Sequence, residues 1–156
     1  MSEPYEELLA GDWHLRIGPG ARHERICARL HETVLASVAN FTSTRLLPAR
    51  SKIQLSAQHA VRPDLALVTA AHNRLWLAVE IVSADDHRVD TVIKKQIYED
   101  MKVPRLWMVD PRYDNVEVYH ATEYGLVLKG ILAGSEVLDE QLLPEFEIVV
   151  RELFAA

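Results

Sequence analysis

The sequence has little of what several classes of protein require. Its single cysteine, Cys27, leaves no partner for an intrachain disulfide, so we expect a reducing, cytoplasmic environment. No apolar run is long enough to cross a bilayer, and the acidic start, MSEPYEELLAGDW, lacks the apolar segment of a secretory signal. Basic residues are scarce, because 17 Lys and Arg stand against 23 Asp and Glu, which gives a net charge of −6.

The acidic balance argues against a module that binds nucleic acid through a broad basic face. It leaves open an enzyme that contacts nucleic acid locally and brings a divalent cation to the reaction. The sequence has no Walker loop and no glycine motif for a dinucleotide. With 156 residues and 49% hydrophobic content, we predict one domain over 1–156, with a core from about 20 to 154.

Apolar periodicity predicts an α/β chain. Residues at i+4 spacing predict helices, whereas short apolar runs that are bounded by turn residues predict strands. The expected helices are 2–10, 21–40, 90–101 and the end of 146–154, and the expected strands include one or two in 41–56, then 64–68, 75–82, 106–109, 116–119 and 126–128. Strands 64–68 and 75–82 suggest a hairpin, and the helix between 75–82 and 106–109 favours a parallel crossover.

Two carboxylates lie within the apolar segments. Asp64 opens one predicted strand and Glu80 lies in the next, while Lys94 follows on the predicted helix. A carboxylate in an apolar run is costly to bury unless a cation, a hydrogen-bond network or a metal offsets its charge. Two acids and a lysine that converge at the edge of a sheet would suit metal-assisted phosphodiester hydrolysis.

The order of these residues resembles the Uma-type restriction endonuclease family of the PD-(D/E)XK phosphodiesterase superfamily. The shared pattern is strong from 62 to 111 and extends over most of 20–154. It consists of Pro63-Asp64, the strand end Glu80-Ile81-Val82-Ser83, the helical series Asp90, Lys94 and Tyr98, and an apolar strand that ends in Asp110-Pro111. The chain departs from the wider superfamily at Val82, where the usual motif has its lysine; the Uma-type pattern places a lysine on the helix instead.

The resemblance implies a restriction-endonuclease-like α/β fold, a mixed β-sheet flanked by helices, and a metal-dependent endonuclease that hydrolyses DNA. Asp64 and Glu80 would bind Mg²⁺ or Mn²⁺, with the backbone carbonyl of Val82 (or of Ile81) as a further ligand and Glu24 as an additional candidate. Lys94 would orient the attacking water or neutralise charge on the phosphate. The same resemblance suggests a homodimer.

Each of these residues also has an ordinary structural explanation. Asp64 after a proline could be a turn or cap residue, and Glu80 could form a structural ion pair with Lys94 or Arg62. Lys94, next to Lys95, could belong to a solvated helix face. The rival function is therefore a nuclease-fold protein that binds nucleic acid or protein without cleaving, and a third is a homo-oligomer that packs exposed Trp and Tyr residues between subunits.

Two further groups of residues contain the residue types of a zinc site and of a nucleophilic triad, but each lacks a required feature. His23, Cys27 and His31 share one helical face and are zinc-ligand types, but the sequence offers no evident fourth ligand. The segment 83–87 contains Ser, Asp and His, the residue types of a nucleophilic triad, but lacks a nucleophile elbow. Asp90 is interpreted as a helix N-cap rather than as a catalytic residue.

Overall fold

The computed structural model describes residues 2–156, which form twelve strands and three α-helices. The helices are α1 (Ala21–Val38), α2 (Lys95–Asp100), which continues directly from a π-helical segment at Val89–Lys94, and α3 (Val150–Phe154). The strands are β1 (Tyr5–Leu9), β2 (Asp12–Arg16), β3 (Thr44–Leu46), β4 (Ile53–Ser56), β5 (His59–Val61), β6 (Leu65–Thr69), β7 (Leu75–Ile81), β8 (Arg105–Asp110), β9 (Asn115–Thr122), β10 (Gly125–Ala133), β11 (Val137–Glu140) and β12 (Leu143–Val149).

The central sheet has six strands in the order β10-β9-β8-β7-β6-β3. Strands β6 and β7 form the predicted hairpin, and β7 runs parallel to β8 after a crossover through the π-helical segment and α2. The other pairs in this sheet are antiparallel, so the sheet is mixed as the sequence predicts. A four-stranded sheet, β2-β1-β5-β4, and the pair β11-β12 complete the fold.

Two apolar clusters lie on opposite faces of the central sheet. Alternate residues of β6, β7 and β8 point to each face, as the two-residue period of a strand requires. One cluster joins the sheet to α1, β12 and α3, and the other joins it to β1, the π-helical segment and α2. Because both faces are covered, β7 is buried along its whole length and reads as a continuous apolar run.

Helix α1 forms where the sequence predicts it. The segment Gly18-Pro19-Gly20 breaks the preceding strand, and the stripe Ile26, Leu30 and Val34 is fully buried against the sheet. Leu35, on the other side of the helix, is 58% exposed. Burying the three stripe residues contributes about 1.5–3 kcal/mol each.

The predicted helix over 2–10 is wrong, because these residues form β1 and the turn into β2. Ala10 and Gly11 both have positive φ, at 53° and 84°, which is the conformation of a two-residue hairpin turn. Glu3, Glu6 and Glu7 suited the first turn of a helix, but pairing with β2 and β5 overrides that preference.

The predicted helix over 90–101 is present with a different first half. Residues 89–94 are π-helical, and the chain becomes α-helical only at Lys95. Asp90 is not the N-cap: it lies inside the π-helical segment, where its buried carboxylate accepts a hydrogen bond from Ser83 N at 3.1 Å. At the C-terminus, the expected helix begins only at Val150, after β12. No helix in residues 2–156 is long and apolar enough to cross a membrane.

Candidate active site

A cleft of about 310 Å³ lies where β6 begins, β7 ends and α1 starts. Its lining includes Asp64, Ile81 and Val82. The walls are formed by the 17–20 turn, the start of α1 and the polar loop after β7, with lining residues that include Tyr5, Arg16, Arg22, His23, Ser83, Asp86, Asp90 and Arg112. The predicted site residue Asp64 therefore opens to a cleft of ligand size.

Asp64 and Glu80 lie next to each other across the hairpin. Leu65 pairs with Val79, so the next position along each strand carries one of the two acids. Asp64 Oδ2 accepts a hydrogen bond from Ile81 N at 2.8 Å, which fixes its carboxylate against the backbone beside Glu80. The sequence prediction that the two acids share one edge of the sheet agrees with this geometry.

The carboxylate of Asp64 is held by donors from three elements. Its Oδ1 lies 2.8 Å from His23 Nε2 and accepts a hydrogen bond from Arg50 Nη1 at 3.0 Å. Burial alone would raise the pKa of Asp64, but its contacts with His23, the Ile81 amide and the more distant Lys94 hold it below its ordinary value. Asp64 is therefore ionised at neutral pH, although it is only 3% exposed.

Lys94 is fully buried between two carboxylates. Its Nζ lies 2.6 Å from Glu80 Oε2 and 2.7 Å from Glu7 Oε2, which are ion-pair distances. Burial lowers the pKa of Lys94, but Glu7 and Glu80 more than offset this and raise it above its ordinary value. Lys94 is thus a permanent cation beneath the site, and the alternative of a solvated lysine is wrong.

Glu80 points to the face of β7 that α2 covers. Its Oε2 also accepts a hydrogen bond from Tyr98 OH at 2.5 Å, so Tyr98, one turn after Lys94, serves as a second donor. Burial raises the pKa of Glu80 to about 8, although the Lys94 ammonium acts in the opposite direction. The expected ion pair between Glu80 and Lys94 is present, whereas Arg62 instead donates its side chain to Arg50 O and its backbone N–H to Glu7.

Two buried residues of the N-terminal hairpin, Glu7 and Arg16, were not predicted as site residues. Glu7 binds Lys94, and burial, which raises its pKa, is outweighed by Lys94 and other donors, so that the pKa of Glu7 lies below its ordinary value. Arg16 lies 2.5 Å from Glu7, 2.8 Å from Asp90 and 2.8 Å from Asp86. The turn Ala10-Gly11 between two five-residue segments was the available signal for this hairpin.

Glu24 and Val82 lie near the acids in different ways. Glu24 accepts hydrogen bonds from Arg50 Nη2, at 2.7 and 2.9 Å, and from the Ser2 hydroxyl. Val82 lines the cleft and donates its N–H to Val109 O at 2.8 Å, and it belongs to one of the two apolar clusters. The roles of both as metal ligands stay predictions.

The residues considered for zinc instead hold Asp64. His31 Nε2 lies 2.8 Å from the backbone oxygen of Asp64, and Cys27 Sγ lies 3.5 Å from the same oxygen, while His23 contacts the side chain. His23 and His31 are eight residues apart on α1, which is about 12 Å along the helix and too far to share one tetrahedral ion. This face of α1 therefore contacts both the side chain and the backbone of Asp64 and helps to position it.

The loop 83–87 does not form a nucleophilic triad. Asp86 accepts a hydrogen bond from Arg16 Nε, and His87 Nδ1 lies 3.4 Å from the Ala84 carbonyl in its own loop. Their partners therefore tie the loop to the N-terminal hairpin rather than preparing Ser83 as a nucleophile.

The donor chemistry of the acids suits a hard divalent cation. Two carboxylates and a nearby backbone carbonyl are oxygen ligands, and Mg²⁺ requires only one or two carboxylates because it keeps several waters. Within residues 2–156, however, no three His, Cys, Asp or Glu side chains are already arranged as a metal site. Asp64 and Glu80 therefore fit the ion by type and position, while their present hydrogen bonds go to protein donors.

Comparison with solved structures supports the fold. A crystal structure described as that of "a putative nuclease belonging to DUF820", from Anabaena variabilis ATCC 29413, matches with a TM-score of 0.80 at 15% identity. The match covers 98% of this chain and 91% of that chain. The arrangement is therefore that of the restriction-endonuclease-like α/β fold that the sequence predicts.

Comparison with protein families covers almost the whole chain. No curated protein matches it. The family Uma2, described as "Putative restriction endonuclease", matches residues 3–151. Families of restriction-endonuclease type generally use divalent metals. This chain belongs to the Uma2 family.

Proposed function

We propose that this protein is a metal-dependent endonuclease that hydrolyses phosphodiester bonds in DNA. The observation that carries the proposal is the adjacent placement of Asp64, which lines the cleft, and Glu80, with the Lys94 ammonium 2.6 Å from Glu80. Membership of the Uma2 family supports nuclease chemistry in general. Metal dependence, DNA as the substrate and the roles of these residues are the proposed part.

In this proposal Asp64 and Glu80 hold Mg²⁺ or Mn²⁺, with the Val82 carbonyl and Glu24 as further candidate ligands. The ion would lower the pKa of a bound water and polarise a phosphoryl oxygen. Lys94 is 0% exposed, so it acts through Glu80 by fixing that carboxylate and by placing a positive charge beneath the cleft. It is therefore a positioning residue rather than a group that touches the phosphate.

The direct test is incubation of the protein with supercoiled plasmid and Mg²⁺ or Mn²⁺, next to Asp64→Ala. We expect nicking by the unmodified protein and its loss in the variant, with circular dichroism to show that both are folded. Asp139→Ala, on the exposed surface of β11, is the matched control and should cleave normally. Equal products from the Asp64 variant would mean that a contaminant cleaves the DNA.

A second candidate function is a nuclease-fold protein that binds without cleaving. The observation that favours it is that both acids already have protein partners, together with Val82 at the usual lysine position and a net charge of −6. Calorimetry with Mn²⁺ separates the two functions, because the rival predicts neither heat of binding nor cleavage. The homodimer suggested by the family resemblance is tested by light scattering after size-exclusion chromatography.

A further inference from the structure

Protein cations already neutralise the carboxylates that would bind a metal. Lys94 contacts Glu80, whereas a single guanidinium, that of Arg50, contacts both Asp64 and Glu24. Arg50 Nη1 is 3.0 Å from Asp64 Oδ1, and Nη2 is 2.7 Å from Glu24 Oε1. One side chain thus joins two of the three acidic ligand candidates.

The backbone of Arg50 is fixed in a way that holds this contact. Its N–H donates to Pro63 O at 3.1 Å, and its carbonyl accepts a hydrogen bond from Arg62 Nη1 at 3.1 Å. Its φ of 56° is uncommon for a residue other than glycine, so tertiary contacts maintain this conformation. The turn that carries Arg50 is therefore tied to the segment that leads into Asp64.

The side chain of Arg50, unlike that of Lys94, is partly exposed to solvent. The Arg50 side chain is 16% exposed and that of Glu24 is 35% exposed, whereas Lys94 is fully enclosed. A guanidinium binds phosphate in the same two-pronged manner as carboxylate, so a nucleic-acid phosphate can compete with Asp64 for it. A divalent cation on Asp64 would face the positive charge of Arg50 while the present contact persists.

We propose that Arg50 makes metal binding depend on substrate. Without nucleic acid, Arg50 holds Asp64 and Glu24 as their internal counter-ion and weakens divalent-cation binding. A DNA phosphodiester draws the guanidinium away and frees both carboxylates, so the metal and DNA bind cooperatively. This inference rests on the proposed function, since it concerns the same carboxylate, that of Asp64, and the same ion.

The test is calorimetric titration of Mn²⁺ into the protein, with and without a short single-stranded phosphorothioate DNA oligonucleotide. The unmodified protein should bind Mn²⁺ weakly alone and at least about tenfold more tightly with the oligonucleotide, which is a typical size for such coupling. Arg50→Gln should bind Mn²⁺ tightly without DNA and gain little from it. Arg50→Lys keeps the charge and should remain weak.

Arg45→Gln is the matched control, because Arg45 is exposed and contacts Asn73 rather than an acid. It should behave like the unmodified protein, and Asp64→Ala combined with Arg50→Gln should lose the tight binding. By reciprocity, Mn²⁺ should raise oligonucleotide affinity by the same factor in the unmodified protein. That measurement requires no variant and stands even if Arg50→Gln misfolds.

The outcomes separate this inference from the proposed function. Equal Mn²⁺ affinity of the unmodified protein and Arg50→Gln without DNA, or equal enhancement by the oligonucleotide in both, overturns the role of Arg50 and leaves the nuclease proposal standing. No Mn²⁺ binding by any form, with or without the oligonucleotide, overturns both.

Discussion

Replacing Glu80 by glutamine should change how stability depends on pH. In the folded chain the pKa of Glu80 is about 8, against an ordinary value of 4.5, because burial disfavours the charged carboxylate. The folded state therefore holds this proton more tightly than the unfolded state. The contribution is fully present below pH 4.5 and is lost as pH rises towards 8.

These two pKa values set the size of the effect. Between pH 5 and pH 8.5, ionisation of Glu80 should lower the free energy of unfolding by about 4 kcal/mol in the unmodified protein. A glutamine at this position cannot ionise, and its amide oxygen can still accept from Tyr98, so the variant should lack this decline. The Glu80→Gln variant should therefore gain about 4 kcal/mol relative to the unmodified protein across that range.

The assay is urea unfolding followed by circular dichroism at several pH values from 5 to 8.5. Glu123→Gln, a surface substitution in the turn before β10, is the control and should follow the unmodified protein. If the curve of Glu80→Gln ran parallel to that of the unmodified protein, Glu80 would not be the group that loses its proton in this range.

Three further substitutions test the buried network and the core. Lys94→Met leaves Glu7 without its main cation and should lower the free energy of unfolding in urea by about 3–5 kcal/mol. The control Lys52→Met, at an exposed lysine, should change it by no more than about 0.5 kcal/mol, and similar losses in both variants would contradict the role of Lys94 in the buried network. Glu7→Gln should reduce the loss of stability on acidification, because the lowered pKa of Glu7 confers stability that is present above pH 4.5 and lost below it. If the free energy of unfolding fell equally below pH 4.5 in the variant and the unmodified protein, this role of Glu7 would be refuted. Leu30→Ala should lower the free energy of unfolding by about 2–5 kcal/mol, far more than Leu35→Ala on the exposed side of α1. Equal losses would contradict the assignment of the Leu30 side of α1 as the buried face.

The centre of the chain was predictable because its signals are local. Asp64 and Glu80 lie in short apolar runs that are separated by a turn, and a hairpin with that turn brings them together without any further contact. Lys94 lies in the crossover between β7 and the parallel strand β8. Because such crossovers are right-handed and their links here are short, few positions of the helix relative to the sheet are possible. The restriction-endonuclease-like order of these residues therefore specified the fold and the position of the acids.

The helix that carries Lys94 shows a limit of periodicity. Ile93, Ile97 and Met101 recur at i+4, which predicts an ordinary α-helix, yet residues 89–94 are π-helical. The wider turn accompanies the inward placement of Asp90 and Lys94, two charged side chains that a surface helix would expose. Periodicity of apolar residues carries no information about buried charges.

The burial of two charged residues in the N-terminal hairpin was unpredictable for a related reason. Glu7 and Arg16 look like surface residues in the sequence, since charged side chains are rarely buried unless paired. Their partners, Lys94 and Asp90, lie more than 70 residues away along the chain, so no local pattern announces the pairing. Arg50 is only 14 residues from Asp64 along the chain, but it contacts Asp64 from a separate turn, and no periodic pattern indicates that contact.

Burial is the main cause of the raised pKa of Glu80, and the neighbouring charges modify it. Glu7, Glu80 and Asp90 form a network with two cations, Lys94 and Arg16, so three carboxylates face two positive charges. Glu7 contacts both cations and keeps a low pKa, whereas burial raises the pKa of Glu80 and Asp90. The negative charges of Asp90 and Glu7 act in the same direction as burial and raise the pKa of Glu80 further. Through Glu7 the hairpin therefore contributes to the raised pKa of Glu80, and through the Glu7–Lys94 contact it belongs to the charge network of the candidate site.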